Sequence, residues 1–199
     1  MKPTEISMNV SQETFWGFLC DAARSGDADY YFTLIASGAD PLQRRALDPD
    51  DEYDGWYDDE RYGEVCTLTQ KKREHDTILC VAARSGCAAI VEHLIGLGED
   101  VQHIGQSGYP ALAYWAKGRH IDSEHCQREK TFHLLIEAGA RPDDFNNLAI
   151  NVLRGRTNDW DDDEHPDMAL IRQWERDQEY KQINASTVQA TAPRKAARL

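Results

Sequence analysis

Two stretches of the chain share one pattern of apolar, small and polar positions. LCDAARSGDADYYFTLIASGAD, residues 19–40, and LCVAARSGCAAIVEHLIGLGED, residues 79–100, both carry Ala-Ala-Arg-Ser-Gly and a second glycine twelve positions later. A third stretch starts at LAYWAKG, residues 112–118, and closes with TFHLLIEAGARPD, residues 131–143. Each stretch predicts a hairpin of two short helices, because apolar positions recur at helical spacing and glycines punctuate the pattern.

Glycines and small residues divide each hairpin in the same way. We expect a left-handed backbone where glycine ends a helix, since glycine adopts it without steric cost. The first helices would end at Gly26, Gly86 and Gly118, and the second helices at Gly38, Gly98 and Gly139. Small residues for close helix contact are Ala22, Ala23, Ala82, Ala83 and Ala116. One hairpin cannot bury its apolar face alone, so the pattern predicts a stack of hairpins.

The repeated unit resembles the ankyrin repeat, whose pattern is roughly T-P-L-H-x-A-A-x-x-G followed by V-V-K-L-L-L-x-x-G-A-D. TILCVAARSG and YPALAYWAKG match the first half, and YYFTLIASGAD, IVEHLIGLGED and TFHLLIEAGAR match the second. The family's histidine is replaced by Cys80 or Ala113, and the first unit lacks the Thr-Pro opening. The resemblance covers about residues 15–155 and implies an all-α, ankyrin-type helical-hairpin solenoid.

The resemblance predicts a repeat domain at residues 1–182. Residues 183–199 are small, polar and basic, which predicts a flexible tail. We expect repeats near 15–44, 72–104 and 105–145, a partial repeat at 146–156 and a capping helix at 166–182. In that helix Ile171 and Trp174 would lie on the stack. Two insertions interrupt the period, one at residues 45–71 and a second, RHIDSEHCQREK, at residues 119–130.

The first insertion contains the acidic and aromatic segment DPDDEYDGWYDDERYGE, residues 48–64. Aligned with an EF-hand from Asp50, it places Gly55 at the sixth position, as a calcium loop requires. The twelfth position, where a bidentate glutamate belongs, is Arg61. A weak calcium site is therefore one alternative for this segment.

Recognition of a basic protein is the interpretation that we favour for the same segment, because aromatic side chains supply contact area and acidic ones orient a cationic partner. A solvated loop whose aromatic side chains fold back onto the stack is the other alternative. The candidate contact residues are Tyr53, Trp56, Tyr57, Asp58, Asp59, Glu60 and Tyr62.

Members of the ankyrin family bind partners through hairpin fingers and the surface of the inner helices. Carried over to this chain, the resemblance implies contact residues at the ends of the first helices and in the fingers between repeats. The first group is Arg24, Arg84 and Lys117, and the second includes Arg73 and Tyr109.

Sequence signatures of catalysis and metal binding are missing. The chain has no GxSxG, P-loop or HExxH motif, so we expect no enzyme activity and no cofactor. His120, His125, Cys126 and His133 have a spacing that fits none of the usual structural zinc sites, so we expect no bound metal. Cys20 and Cys80 occupy equivalent first-helix positions, which favours packing over nucleophilic catalysis.

The net charge of the chain limits the kinds of partner that we expect it to bind. The net charge is −13, and the last 20 residues contribute four positive charges and no negative one, so the first 179 residues carry −17. We therefore expect no binding of nucleic acid by the folded body and no membrane association. The five cysteines form no CxxC pair, and MKPTEISMNVSQETF lacks an apolar signal core, so we expect a cytoplasmic protein with reduced thiols.

These features predict a monomeric, non-catalytic protein-interaction module. A sharper version is an inhibitor or immunity-type protein that neutralises a basic partner such as a toxin nuclease. A general adaptor or scaffold with a neutral or mixed partner is the main alternative, and a calcium-responsive regulator is a third.

Overall fold

A computed structural model of the chain describes residues 11–44, 76–104, 108–118, 127–155 and 165–191. The regular secondary structure within these ranges is entirely α-helical, which confirms the all-α class. In chain order the helices are α1 (Gln12–Ser25), α2 (Ala28–Ala36), α3 (Ile78–Ser85), α4 (Ala88–Gly96), α5 (Ala111–Lys117), α6 (Arg128–Glu137), α7 (Asp144–Arg154) and α8 (Met168–Thr191).

Short polar side chains begin several of these helices. Ser11 accepts a hydrogen bond from the backbone N–H of Thr14 and so caps α1, and Thr77 caps α3 through the N–H of Cys80. Asp27 does the same for α2. Each cap satisfies a backbone donor that the first turn of a helix leaves without an intrahelical partner.

Glycine ends the first helix of each of the first two hairpins, α1 and α3, as predicted. Gly26 and Gly86 both have φ of 74°, in the left-handed region, and their N–H groups bond back to carbonyls of the preceding turn. Gly118 does not follow the prediction, because its backbone is extended, with φ −63° and ψ 148°. Glycine is needed here because α5 lies close to α3: a Cβ at residue 118 would lie 2.2 Å from the carbonyl oxygen of Arg84.

The helices form two layers. The leading helices α1, α3, α5 and α7 contact one another in that order, and α2, α4 and α6 do the same. Each leading helix also packs on the next helix in the chain, in the pairs α1–α2, α3–α4 and α5–α6. The main core lies between the layers and includes the five predicted alanines, each at most 1% exposed.

The last helix, α8, packs against α7 and the core. Ile171 is fully buried and Trp174 packs on the core, whereas Arg172, Glu175 and Arg176 are exposed, as the sequence predicted for a capping helix. The helix continues to Thr191, nine residues past the predicted end of the capping helix at residue 182. No proline or glycine lies between 167 and 191 to stop the helix, and Pro193 follows.

Candidate interaction surface

The acidic segment that the sequence analysis favoured lies outside the described residues. This holds for Tyr53, Trp56, Tyr57, Asp58, Asp59, Glu60 and Tyr62, and for Arg73. Their role in partner binding stays a prediction. The described candidates are Arg24, Arg84, Tyr109 and Lys117.

The C-terminal ends of α1, α3 and α5 lie side by side. The Ser85 hydroxyl donates to the carbonyl oxygen of Ala23 at 2.6 Å, and the Cys87 thiol lies 3.6 Å from the carbonyl oxygen of Gly26. On the other side of α3, Gly118 at the end of α5 packs against the carbonyl group of Arg84. Consecutive leading helices therefore end at the same edge of their layer.

Two of the predicted cations are exposed at this edge. Arg24 lies in the last turn of α1, and its Nη1 pairs with Oδ1 of Asp21 at 2.6 Å, with both side chains about two-thirds exposed. Arg84 occupies the corresponding turn of α3 and is exposed. An exposed pair of this kind contributes little stability, so Arg24 can exchange Asp21 for an anionic group of a ligand at little cost.

Lys117 ends α5 and turns back along its own helix. Its Nζ lies 3.2 Å from the centre of the Tyr109 ring, and that ring meets Tyr114 edge to face at 6.2 Å. The Tyr114 hydroxyl in turn donates to a carboxylate oxygen of Asp76. The structure thus brings together Tyr109 and Lys117, which the sequence had assigned to a finger and to a helix end.

A fourth cation at the same edge was missed in the sequence analysis. α7 begins beside α5, because Phe145 and Tyr109 both pack on the small cluster of Ala113 and Leu148. The two helices therefore run in the same direction, and Arg154, in the last turn of α7, lies at the edge that holds Lys117. The segment NVLRGR contains the signal, since an arginine precedes glycine near the end of the apolar pattern.

A buried ion pair fixes the third hairpin to the final helix. Arg128 and Asp167 have side chains only 4% exposed, and Arg128 Nε donates to Asp167 Oδ2 at 3.0 Å. The same guanidinium donates to the carbonyl of Trp115 at 2.8 Å, while the Trp115 indole donates to the carbonyl of Arg128 at 3.0 Å. The sequence had assigned Arg128 to the second insertion, but α6 begins at this residue.

A second buried charge lies between the first two hairpins. Glu99 pairs with Arg44, Oε1 to Nη1 at 2.8 Å, and its side chain is 4% exposed. Burial raises the pKa of Glu99 above its ordinary value, and the positive charge of Arg44 opposes that shift. Burial, together with the negative charge of Glu99, also raises the pKa of Tyr31. The Tyr31 hydroxyl hydrogen-bonds to Nδ1 of His93, which is a partly buried side chain.

The described cysteines, Cys20, Cys80 and Cys87, are buried in the core. Cys20 and Cys80 are at most 5% exposed, as their equivalent positions predicted. Burial raises the pKa of the Cys80 thiol to about 12, so the thiolate needed for nucleophilic attack is not formed near neutral pH. In the described ranges no group of three His, Cys, Asp or Glu side chains is arranged to hold a metal ion. His133 is exposed, and His120, His125 and Cys126 lie beyond those ranges.

No protein-family model matches the chain, and no curated protein matches it significantly. Among the described helices, none is both long enough and apolar enough to cross a membrane.

Proposed function

We propose that the chain is a non-catalytic protein-interaction module built as an ankyrin-type helical-hairpin solenoid. Three features support the solenoid: the leading and following helices contact one another in chain order, left-handed glycines end α1 and α3, and buried alanines line the leading helices. Each hairpin packs against the next one along the chain, which is typical of a repeat stack.

The observation that carries the interaction role is the shared edge of the leading helices. Arg24 and Arg84 are exposed there on helices held in register by the hydrogen bond from Ser85 to Ala23. Helices that are already folded and packed meet a partner without the cost of ordering their backbone. The arrangement suits recognition of another protein by a preformed surface.

Charge supports the sharper proposal that the protein is an inhibitor or immunity-type protein acting on a basic partner, such as a toxin nuclease. The first 179 residues carry −17, and residues 46–64 hold nine acidic residues against one base, Arg61. A strongly acidic surface attracts a basic protein from a distance, and at low salt such steering raises association rates by about 10- to 1,000-fold. Association with this partner should slow as salt rises.

An affinity capture with two baits tests this function. One bait is the intact protein, and the second replaces residues 46–64 with a Gly/Ser linker of the same length. We expect one basic protein to be captured by the intact bait and lost from the second. Capture of the same protein by both baits would exclude the acidic segment from the interface, and capture of only neutral or acidic proteins would favour the adaptor alternative.

Calcium regulation is tested separately by calorimetry. Calcium is titrated into the intact protein and into Asp54→Asn. Heat of binding that is present in the first and lost in the second would favour the calcium-responsive alternative. The inhibitor proposal predicts no such heat, because Arg61 occupies the position of the bidentate glutamate.

A further inference from the structure

The first hairpin exposes two aromatic side chains at positions that are buried in the later hairpins. Phe18 and Ile78 both precede Leu-Cys, yet Phe18 is 41% exposed and Ile78 is 2% exposed. Tyr30 and Ile90 both follow the first glycine of their hairpin by four residues, yet Tyr30 is 42% exposed and Ile90 is fully buried. The corresponding residues of the third hairpin are buried as well, namely Ala111 and Thr131. These positions are therefore covered where a preceding hairpin packs on them, and exposed in the hairpin that begins the described stack.

A third residue on this side of the first hairpin is charged. In the second hairpin the equivalent residue is Cys87, which is 3% exposed and has its thiol 3.6 Å from the carbonyl oxygen of Gly26 in the preceding hairpin. In the first hairpin the residue is Asp27, which caps α2 and is exposed. An ionised carboxylate accepts hydrogen bonds but donates none, so it suits a cation or an N–H group rather than a carbonyl oxygen. We call Phe18, Asp27 and Tyr30 the open face.

The other end of the described stack is closed. There α8 packs on α7 with Ile171 fully buried, and its outward side chains are charged, at Arg172, Glu175 and Arg176. Terminal repeats of a stack need such a polar outer surface for solubility. The open face has two large apolar side chains in that place, which is typical of a surface that binds another protein.

The charge of the first hairpin favours a basic ligand. Residues 11–44 contain five acidic residues and two basic ones, so they carry −3. Both basic residues are in ion pairs, Arg24 with Asp21 and Arg44 with Glu99. Within the described ranges no basic side chain pairs with Asp27. The open face thus combines two aromatic rings with a carboxylate that a cation of a ligand can neutralise.

The shape of the open face favours a helix as the ligand. Phe18 lies on α1 and Tyr30 lies on α2, and these two helices pack on each other. The equivalent pair in the second hairpin, α3 and α4, is covered by helices, because α1 packs on α3 and α2 packs on α4. Two packed helices leave a groove that accepts the apolar stripe of a further helix.

We propose that the open face binds an amphipathic helix of the basic partner, with the helix's apolar side chains on Phe18 and Tyr30 and a lysine or arginine at Asp27. This inference rests on the proposed interaction function and adds a second contact to it. The acidic insertion follows the first hairpin directly in the chain. The aromatic residues of the open face supply contact area, and Asp27 fixes the direction in which the helix lies.

A synthetic helix tests the open face directly. The probe is a peptide of about 18 residues, with equal numbers of leucine and lysine, leucines at helical spacing, blocked ends and a fluorophore. Its binding to the full chain is measured by fluorescence anisotropy at about 150 mM NaCl, where distant surface charges are screened. One control peptide has leucine and lysine in strict alternation, and a second has glutamate in place of lysine.

The variants come in matched sets. Phe18→Gln and Tyr30→Gln remove the aromatic side chains of the open face, and Tyr180→Gln removes one that is 68% exposed on α8. Asp27→Asn removes the charge and keeps the helix cap, since asparagine caps as well as aspartate. Asp177→Asn removes an exposed charge on α8. Circular dichroism checks that each variant keeps its helix content.

We expect the amphipathic peptide to bind at least about tenfold more tightly than either control peptide. Phe18→Gln and Tyr30→Gln should each weaken its binding about tenfold, as expected for aromatic anchors. Asp27→Asn should weaken it about threefold, as expected for one exposed ion pair, and both α8 variants should change it by less than about twofold. Equal effects of the open-face and α8 variants, or equal binding of the alternating peptide, would overturn the proposal.

Two other occupants of the open face give different results. If a second copy of the chain covers it, sedimentation will show a dimer that Phe18→Gln dissociates. If residues 1–10 cover it, deletion of residues 2–10 will tighten peptide binding by about tenfold or more. The proposal predicts a monomer and unchanged peptide binding after the deletion, so either result would contradict it.

The two proposals fail separately. The peptide assay does not involve residues 46–64, so its failure with successful capture of a basic protein removes only the open face as a contact. Peptide binding as expected combined with failed capture would remove the basic partner at residues 46–64 and keep the open face as a site for a basic helix.

Discussion

The Ser85 hydroxyl donates a 2.6 Å hydrogen bond to the carbonyl oxygen of Ala23, in the neighbouring hairpin. It also donates to Ala82 within its own helix, at 3.0 Å. Ser25 occupies the equivalent position of the first hairpin and bonds only to carbonyls of its own helix. The same Ala-Ala-Arg-Ser-Gly sequence thus forms a contact between hairpins only where a preceding hairpin exists.

This difference predicts unequal effects of removing the two hydroxyls. Ser85→Ala should lower the free energy of unfolding by about 0.5–1.5 kcal/mol, because the hydrogen bond between hairpins is half-buried and lost. Ser25→Ala is the matched control and should be close to neutral, since it is exposed and alanine favours the helix. Urea unfolding followed by circular dichroism measures both. Equal losses would mean that the contact between hairpins contributes nothing.

Gly118 and Gly17 should respond in opposite ways to replacement by alanine. A Cβ at this position would lie 2.2 Å from the Arg84 carbonyl oxygen and 2.3 Å from Nη1 of the buried Arg128. Gly118→Ala should therefore destabilise the protein by about 1–3 kcal/mol, the usual cost of overpacking. Gly17→Ala, within α1 and with open space around the added carbon, should stabilise it by about 0.5–1 kcal/mol. Thermal unfolding that ranks the two variants in the reverse order would contradict the packing of α5 on α3.

The buried carboxyl group of Glu99 predicts a pH dependence of stability. Because its pKa is raised in the folded protein, the folded state binds its proton more tightly than the unfolded state, whose ordinary value is 4.5. The stability that this provides is present below pH 4.5 and is lost as pH rises through the folded pKa. Glu99→Gln should therefore gain stability relative to the natural protein as pH rises above 4.5.

Arg44 supplies the control for this experiment, since its positive charge opposes the rise in the pKa of Glu99. Arg44→Gln should make the loss of stability with rising pH steeper. Urea unfolding across this pH range measures the slopes. Parallel curves for the natural protein and Glu99→Gln would show that Glu99 does not titrate differently in the two states.

The acidic segment should contribute to the affinity for the basic partner, so removing one of its aromatic side chains should weaken binding. Once the basic partner has been captured, Trp56→Ala should weaken its affinity by about 30-fold or more, as expected for an aromatic residue at the centre of an interface. Tyr180→Ala, on α8 and 68% exposed, is the aromatic control and should leave the affinity unchanged. Equal affinity of the two variants would remove Trp56 from the interface.

Local signals in the sequence were sufficient for the hairpins. The glycines at 26 and 86 and the alanines before them obey rules that depend only on neighbouring residues, and the structure confirms both sets. The packing of Cys20 and Cys80 was also predicted, from their equivalent positions in the first helices of two hairpins. Arg24 and Arg84 were also visible, because they recur within Ala-Ala-Arg-Ser-Gly.

The errors arose where distant residues decide the conformation. Gly118 is extended because the chain leaves α5 for an insertion and returns at Gln127, whose N–H bonds to the carbonyl of Gly86. Arg128 is buried because Asp167, 39 positions later, neutralises it. The sequence analysis had placed Arg128 in the insertion RHIDSEHCQREK. Neither long-range partner can be read from the local pattern.

Site-specific photo-crosslinking tests the central claim, that one protein partner meets both the acidic segment and the edge of the leading helices. A photoreactive phenylalanine is placed at Trp56, at Arg24 or at Leu97, an exposed residue just after α4 on the opposite layer. We predict that the first two positions crosslink to the same basic protein and that Leu97 crosslinks to none. A partner that crosslinks only from Leu97, or different partners at Trp56 and Arg24, would contradict the account.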